Sequence, residues 1–265
     1  MIRVPSLPRG ISETMFALGC HEAVGSSGAG KALNLRACGS EVALWCRLGD
    51  DEPGRRVRET LQGASVEVLV DVDPLGTMQH VNLMDPHGGR VSIFAETGSL
   101  EAPVADRWRE EIVRRAVAAD IVAVTIFEQT RSLLAPLRKA GVELWVDVHD
   151  YDGVNPYHGD FVAAATYLQL SSVSMPGWRA FGEARVRSGA RAVIVTHGAA
   201  GASVLTGDGW VEIPALRVEV VDSNGAGDAF FAGFATGWVA GLPPAECGRR
   251  GAVRAAEALR STDLA

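Results

Sequence analysis

Cysteine is scarce and scattered in this chain. Cys20, Cys38, Cys46 and Cys247 are the four among 265 residues, and no Cys-x-x-Cys pair occurs. That excludes a disulfide scaffold and a cysteine-held zinc site, and leaves free buried thiols in a reducing cytoplasm as the expectation. No apolar run is long enough to span a bilayer, and the N-terminus lacks the apolar core of a signal peptide. Basic runs are absent and the net charge is -7. Nucleic acid and anionic membrane are therefore not expected partners. Repeats and low-complexity linkers are absent too. Histidine is limited to six, with no His-x-x-x-His spacing, so His149-Asp150 and Asp152 read as loop polarity rather than a metal cluster. What remains is the profile of one soluble enzyme domain, long enough to bury an ample core.

Glycine, by contrast, is plentiful and organised. Asp222-Ser223-Asn224-Gly225-Ala226-Gly227-Asp228-Ala229-Phe230 follows the alternating, β-branched Leu216 to Val221, which reads as a strand. Ala229 to Val239 follows it, apolar and rich in Ala, Gly and Phe, and reads as a tightly packed helix ending near Gly241. A strand, a Gly-x-Gly turn and a helix aim backbone N–H groups and the positive end of a helix dipole at an anion. Asp228 would repel a ground-state phosphate, but it suits a group that takes a proton from a hydroxyl attacking that phosphate. The plainer alternative is a chain reversal with an ordinary first-turn Asp. The rest of the chain decides between them.

Strands and helices alternate along most of it. Trp108 to Ala118, Ser132 to Ala140 and Arg179 to Ser188 have helical spacing; Ile121 to Phe127, Leu144 to Val148 and Ala192 to Thr196 are apolar strands. Such alternation predicts a parallel sheet covered on both faces. Two stretches differ. Segments 13–24 and 77–95 read as paired strands with polar alternation, joined by turns such as Asp85-Pro86-His87-Gly88-Gly89-Arg90. A competing motif, Gly25-Ser26-Ser27-Gly28-Ala29-Gly30-Lys31, fits the first seven places of a P-loop, with Leu144-Trp145-Val146-Asp147 as the acidic strand. It fails at the eighth place, where Ala32 stands for a Ser or Thr on magnesium.

Val221 to Phe230 resembles the second signature of the ribokinase-like, or PfkB-type, carbohydrate kinases. Gly25 to Gly54, with Gly39, the strand Val42-Ala43-Leu44-Trp45 and Gly49-Asp50-Asp51-Glu52-Pro53-Gly54, is similar in part to the first signature. Val193 to Ala202 is similar to the strand and Gly-rich turn before the family's nucleotide pocket. The resemblance implies an α/β fold: three layers, α/β/α, around a mostly parallel central sheet, in a single domain over 1–265, with segments 13–24 and 77–95 forming a small β lid. It implies an ATP-dependent phosphotransferase acting on a hydroxyl of a small sugar or sugar-like alcohol. Asp228 would be the base, and Gly225, Ala226 and Gly227 the anion hole. Gly25, Ser26, Gly30 and Glu128 would contact substrate, and Thr196, Gly198, Gly201, Gly225 and Gly227 would hold ATP with Mg2+. Asp222 and Ser223 would organise a monovalent cation such as K+.

Some matches carry alternatives or departures. Glu128 is equally a solvated strand-end residue, and Asp147 faces the binding crevice or caps a turn. His197 lies near the nucleotide without a catalytic role, and Arg90 is a surface residue or reaches substrate from the lid. The family's sugar-contacting Asn becomes Gly30, and its Asn-x-x-Glu falls on Ser171 and Ser174. Its first strand, ending in a substrate-binding Asp, belongs ahead of Val4-Pro5, where this chain starts: that strand is missing or lies further upstream. These departures keep open a second function, a weak or inactive relative that senses a sugar or nucleoside. Exposed lid edges predict a homodimer through the lid.

Overall fold

Period-two alternation in the apolar strands places the two halves of the core. In chain order the strands are β1 (Ile2–Arg3), β2 (Gly19–Cys20), β3 (Ala43–Gly49), β4 (Glu67–Asp73), β5 (Gln79–Met84), β6 (Arg90–Glu96), β7 (Val122–Val124), β8 (Leu144–Asp147), β9 (Tyr167–Ser171), β10 (Ala192–Thr196), β11 (Ala202–Thr206) and β12 (Gly209–Ile213). The helices are α1 (Ser27–Ala37), α2 (Glu52–Gly63), α3 (Asp106–Val117), α4 (Glu128–Lys139), α5 (Gly159–Ala164), α6 (Trp178–Arg187), α7 (Ala226–Val239) and α8 (Pro244–Ala258). This computed structural model describes residues 1–8, 10, 12, 14–86 and 90–262.

β7, β8, β9 and β10 run parallel, and β11 and β12 continue the same sheet antiparallel. Leu144, Val146, Leu168, Leu170, Val193 and Val195 point to one face and pack with Leu133, Leu137 and Phe161 of α4 and α5. Trp145, Tyr167, Ala192 and Ile194 point to the other, against Phe230, Phe231 and Phe234 of α7 and Cys247 of α8. Successive residues on opposite faces, both buried, make the three-layer α/β/α fold. β3 and β4 form a separate parallel pair, with Ala29 and Ala32 of α1 and Leu61 of α2 in a third core. β2, β1, β5 and β6 form a four-stranded sheet in that order. The segments 13–24 and 77–95 thus meet in one sheet, with β1 between them. Glu13 and the turn residues His87, Gly88 and Gly89 lie outside the described residues. Among the described residues no helix is long and apolar enough to cross a membrane.

Three expectations change. The strand read over Leu216 to Val221 does not form. β12 ends at Ile213, already paired with β11, and the following chain finds no strand neighbour. Instead Val221 donates to Leu259 O and accepts from Arg3, leaving Val220 exposed. The strand read over Ile121 to Phe127 shortens to β7. The four thiols are free, but only Cys247 is buried: Cys20 lies on the two-residue outer strand β2, and Cys38 caps the end of α1.

Candidate active site

α7 packs unusually close to α8 because its glycines allow it. A Cβ on Gly233 would lie 2.6 Å from the Arg250 carbonyl oxygen, and one on Gly251 2.9 Å from the Phe230 carbonyl oxygen. This fixes the axis of α7 and therefore the direction of its first turn. Gly225 precedes that turn with φ 81, a left-handed conformation that glycine adopts without cost, and no side chain caps the helix. The first-turn N–H groups are left to whatever anion approaches. A Cβ on Gly227 would touch nothing nearer than Gln169 at 3.9 Å, so the approach is open.

α1 crosses against this turn. Gly30 gives the contact: a Cβ there would lie 2.5 Å from Asp228 Oδ2. Ser27 Oγ donates to Asp228 Oδ1 at 2.7 Å, and one turn further Lys31 Nζ reaches the same oxygen at 2.5 Å. Lys31 also bonds Asp147 Oδ2 at 3.0 Å and Ser27 Oγ at 2.5 Å. Gln169 ties the assembly together, donating to Asp147 Oδ2 at 3.1 Å and to the Gly227 carbonyl at 3.0 Å. Burial pushes the Lys31 ammonium down, but Asp147 and Asp228 outweigh it and hold the pKa above the ordinary value. Burial pushes the Asp147 carboxyl up, yet His149, Lys31 and the His149 N–H hold it below its ordinary value. Ser26 (φ 76) and His149 (φ 52) flank the cluster in the left-handed region, a strain that packed surroundings must support.

Of these, Lys31, Ser27 and Gln169 were not picked out as site residues. A serine and a lysine four apart on one helix face was the available signal. The P-loop-like pattern includes both Lys31 and Asp147, and the two meet as an ion pair.

Residues 179–265 match the pfkB family of carbohydrate kinases. An acarbose 7(IV)-phosphotransferase of Actinoplanes sp. is 34% identical over 96% of this chain and 86% of its own length. The chain belongs to the pfkB family of carbohydrate kinases. An ATP-dependent ribose-1-phosphate kinase of Halopiger xanaduensis is 30% identical over 80% of this chain and 74% of its own. Among solved structures, a microbiome-derived acarbose kinase superposes with TM-score 0.84 at 30% identity, over 98% of this chain and 88% of that one. A ribokinase of Arabidopsis thaliana in complex with ribose and ATP shares the fold, with TM-score 0.74 at 21% identity over 99% of this chain and 90% of that one. The protein is thus an ATP-dependent sugar kinase.

The remaining candidates of this pfkB-family kinase lie at different distances from Asp228. Gly25 packs on His80 of β5, where a Cβ would lie 2.9 Å from the ring, and Ser26 caps α1. Glu128 instead pairs with Arg131 at 2.9 Å, and Arg131 continues to Asp160 at 2.8 Å. Thr196 ends β10, and Gly198 and Gly201 bracket a short 3-10 turn. Gly201 is required there, since a Cβ would lie 2.1 Å from the Ile213 carbonyl oxygen. His197 bridges Ser172 and Ser203 at 2.8 Å each, and burial holds its pKa low. Asp222 is buried and accepts from Asn224 N at 2.9 Å, while Ser223 is exposed. Among the described residues no three His, Cys, Asp or Glu side chains form a group that could hold a metal ion.

Proposed function

We propose that the kinase transfers the terminal phosphoryl group of ATP to a hydroxyl of a sugar or sugar-like alcohol with Asp228 as general base. The observation that carries this reading is a carboxylate oriented by Ser27 and Lys31 beside an uncapped helix N-terminus. Asp228 accepts the acceptor's proton as the acceptor oxygen bonds to phosphorus. The bond to the leaving diphosphate breaks, and its electron pair departs with the diphosphate. The N–H groups of Gly225, Ala226 and Gly227 stabilise charge on the transferred group. Lys31, fixed between Asp147 and Asp228, keeps the second carboxylate from repelling the nucleotide. The uncapped N–H groups fit a phosphoryl group. A magnesium ion would be held by nucleotide oxygens and water, since the described residues offer no carboxylate cage. Thr196, Gly198 and Gly201 would border the nucleotide, and Gly25, Ser26 and Gly30 the acceptor. Asp222 and Ser223 offer too few oxygens to cage a potassium ion unaided, so no step is assigned to one.

Acarbose is the first acceptor to test, because the relative at 34% identity is named for phosphorylating it. The assay is ATP-dependent phosphoryl transfer to acarbose, ribose, ribose 1-phosphate and cytidine. Turnover is expected with at least one of them. Asp228→Asn should cut that turnover by about 10²–10⁴-fold, with a folded protein confirmed by a cooperative melt, since the variant also weakens the Lys31 ion pair; equal turnover would remove Asp228 from the mechanism. The sensor reading has one observation in its favour: Asp228 is already ion-paired to Lys31. Binding of a sugar or nucleoside without turnover of any acceptor would select it. Free thiols fit a cytoplasmic location.

A further inference from the structure

Glu212, Ser203, His197 and Ser172 form a hydrogen-bonded row that sugar transfer leaves unused. Arg179 donates to Glu212 Oε1 at 2.5 Å, and Ser203 Oγ donates to Glu212 Oε2 at 2.5 Å. The Ser203 bond, with Arg179 behind it, holds the Glu212 carboxyl below its ordinary value, so this carboxylate only accepts. Ser203 is fully buried, and its one proton is engaged by Glu212. Its oxygen therefore accepts from His197 Nε2, 2.8 Å away. Burial outweighs Glu212 and holds the His197 pKa low, so at neutral pH the ring is uncharged and carries its one proton on Nε2. Nδ1 is left with a lone pair, and it faces Ser172 Oγ at 2.8 Å. The Trp178 ring, 4.7 Å from the imidazole between centroids, packs against it. A hydroxyl bonded to a neutral imidazole whose far nitrogen is itself oriented is the arrangement of an activated nucleophile.

Ser172 also stands beside the path of a phosphoryl donor. Ser171 of β9 and Thr196 of β10 pair in register, so Ser172 and His197 come directly after the carboxyl ends of two neighbouring parallel strands. That edge of an open α/β sheet borders the binding crevice. Gln169 precedes Ser172 by three residues, within about 10 Å along the strand, and donates to the Gly227 carbonyl of the anion hole. Ser172 is half-buried and is followed by exposed Val173 and Ser174, so its hydroxyl is open to a ligand. We propose that Ser172 is a self-phosphorylation site, a second acceptor for the terminal phosphoryl group of ATP, with His197 as its base. The inference rests on the nucleotide lying along Thr196 and Gly198, which flank His197. The bond from Ser172 Oγ to phosphorus forms as the bond from phosphorus to the ADP oxygen breaks, and that electron pair leaves with ADP. The Ser172 proton passes to His197 Nδ1. The imidazolium keeps its Nε2 proton on Ser203, with the Glu212 carboxylate beyond it balancing the charge.

The test incubates the full chain with magnesium and ATP radiolabelled in its terminal phosphate, without a sugar, and maps the label by mass spectrometry. The expected product is a phosphate stable to acid and lost in alkali, on the peptide that holds Ser172, formed at a rate per chain independent of protein concentration. Ser172→Ala should abolish it, and His197→Gln should slow it by about 10²-fold or more. Asp228→Asn should still be labelled. Each variant is first shown to be folded by a cooperative melt. No phosphate on Ser172, equal labelling of the His197→Gln protein, labelling that disappears with Asp228, or a rate that rises with protein concentration would each overturn the proposal. A second measurement separates it from the placement of the nucleotide: the His197 ring resonances of the Ser172→Ala protein, followed by NMR as a non-hydrolysable ATP analogue is added. Resonances that shift, with no phosphate ever found on Ser172 of the parent, overturn self-phosphorylation alone. Resonances that stay in place while the analogue inhibits sugar turnover overturn the nucleotide placement and this proposal with it.

Discussion

Lys31 sets the charge balance of the site, and its removal is the most informative single change. Lys31→Met leaves Asp147 buried with Gln169, the His149 N–H and the His149 ring as partners, without the ammonium. Breaking one side of a buried ion pair costs about 3–5 kcal/mol. The pH dependence separates charge from packing. Asp147 has a lowered folded pKa, so its contribution is present above the ordinary carboxyl value of about 3.9 and is lost as pH falls through the folded value. Lys31 has a raised folded pKa, so its contribution is present below the ordinary lysine value of about 10.4 and is lost as pH rises through the folded value. The gap in melting temperature between parent and variant should be widest between about pH 5 and pH 10 and narrow at both ends. A gap constant with pH would show that Lys31 acts by packing alone. Gly30 makes a complementary point. Gly30→Ala would press a methyl 2.5 Å from Asp228 Oδ2, so turnover should fall by about 10²-fold through displacement of the proposed base. Gly28→Ala, on the same helix but with its nearest contact at 3.5 Å, is the control and should keep its turnover.

At the scale of elements, α7 is held by contact between backbones rather than by large side chains. Gly233→Val would drive its side chain into the Arg250 carbonyl and part α7 from α8. Overpacking of this kind costs about 1–3 kcal/mol, and at this chain length each kcal/mol lowers Tm by about 2–4 °C. Differential scanning calorimetry would read it, and an unchanged Tm would mean that the helix pair has slack. The glycine and alanine run over Ala229 to Val239 is therefore a sound guide to a tight helix, as are the continuous apolar runs of β8 and β10. What failed was local alternation without a neighbour. Leu216 to Val221 has the residues of a strand, but hydrogen-bond partners are a tertiary matter, and β12 had closed that edge. Glu128 differs: the structure makes it the first residue of α4 rather than a strand end, and its pair with Arg131 is an i,i+3 contact within that helix. Lys31 was hidden for a related reason. A lysine inside a small-residue helix reads as solvent-facing until Asp147 and Asp228, 116 and 197 residues away in sequence, are brought to it.

For the molecule as a whole, the four-stranded sheet is the surface that most needs a partner. β6 is exposed along its length, with Val91, Ile93 and Phe94 each at least 39% exposed. An outer strand of this kind invites pairing with a second copy. A homodimer through this sheet should appear by light scattering at micromolar protein, and Ile93→Lys should shift it to monomer while Tm changes little; a monomeric parent would count against it. The hydrogen bond between Ser27 and Asp228 joins residues 201 apart in sequence, and it has a consequence for how the protein is made. The proposed base is translated near the end of synthesis, after the β-rich body that must receive it has left the ribosome. A nascent chain therefore carries Ser27, Lys31 and Asp147 before the carboxylate that joins their cluster. Chains that end before α7 lack this carboxylate, and a protein truncated there is expected to show no phosphoryl transfer in the sugar-acceptor assay.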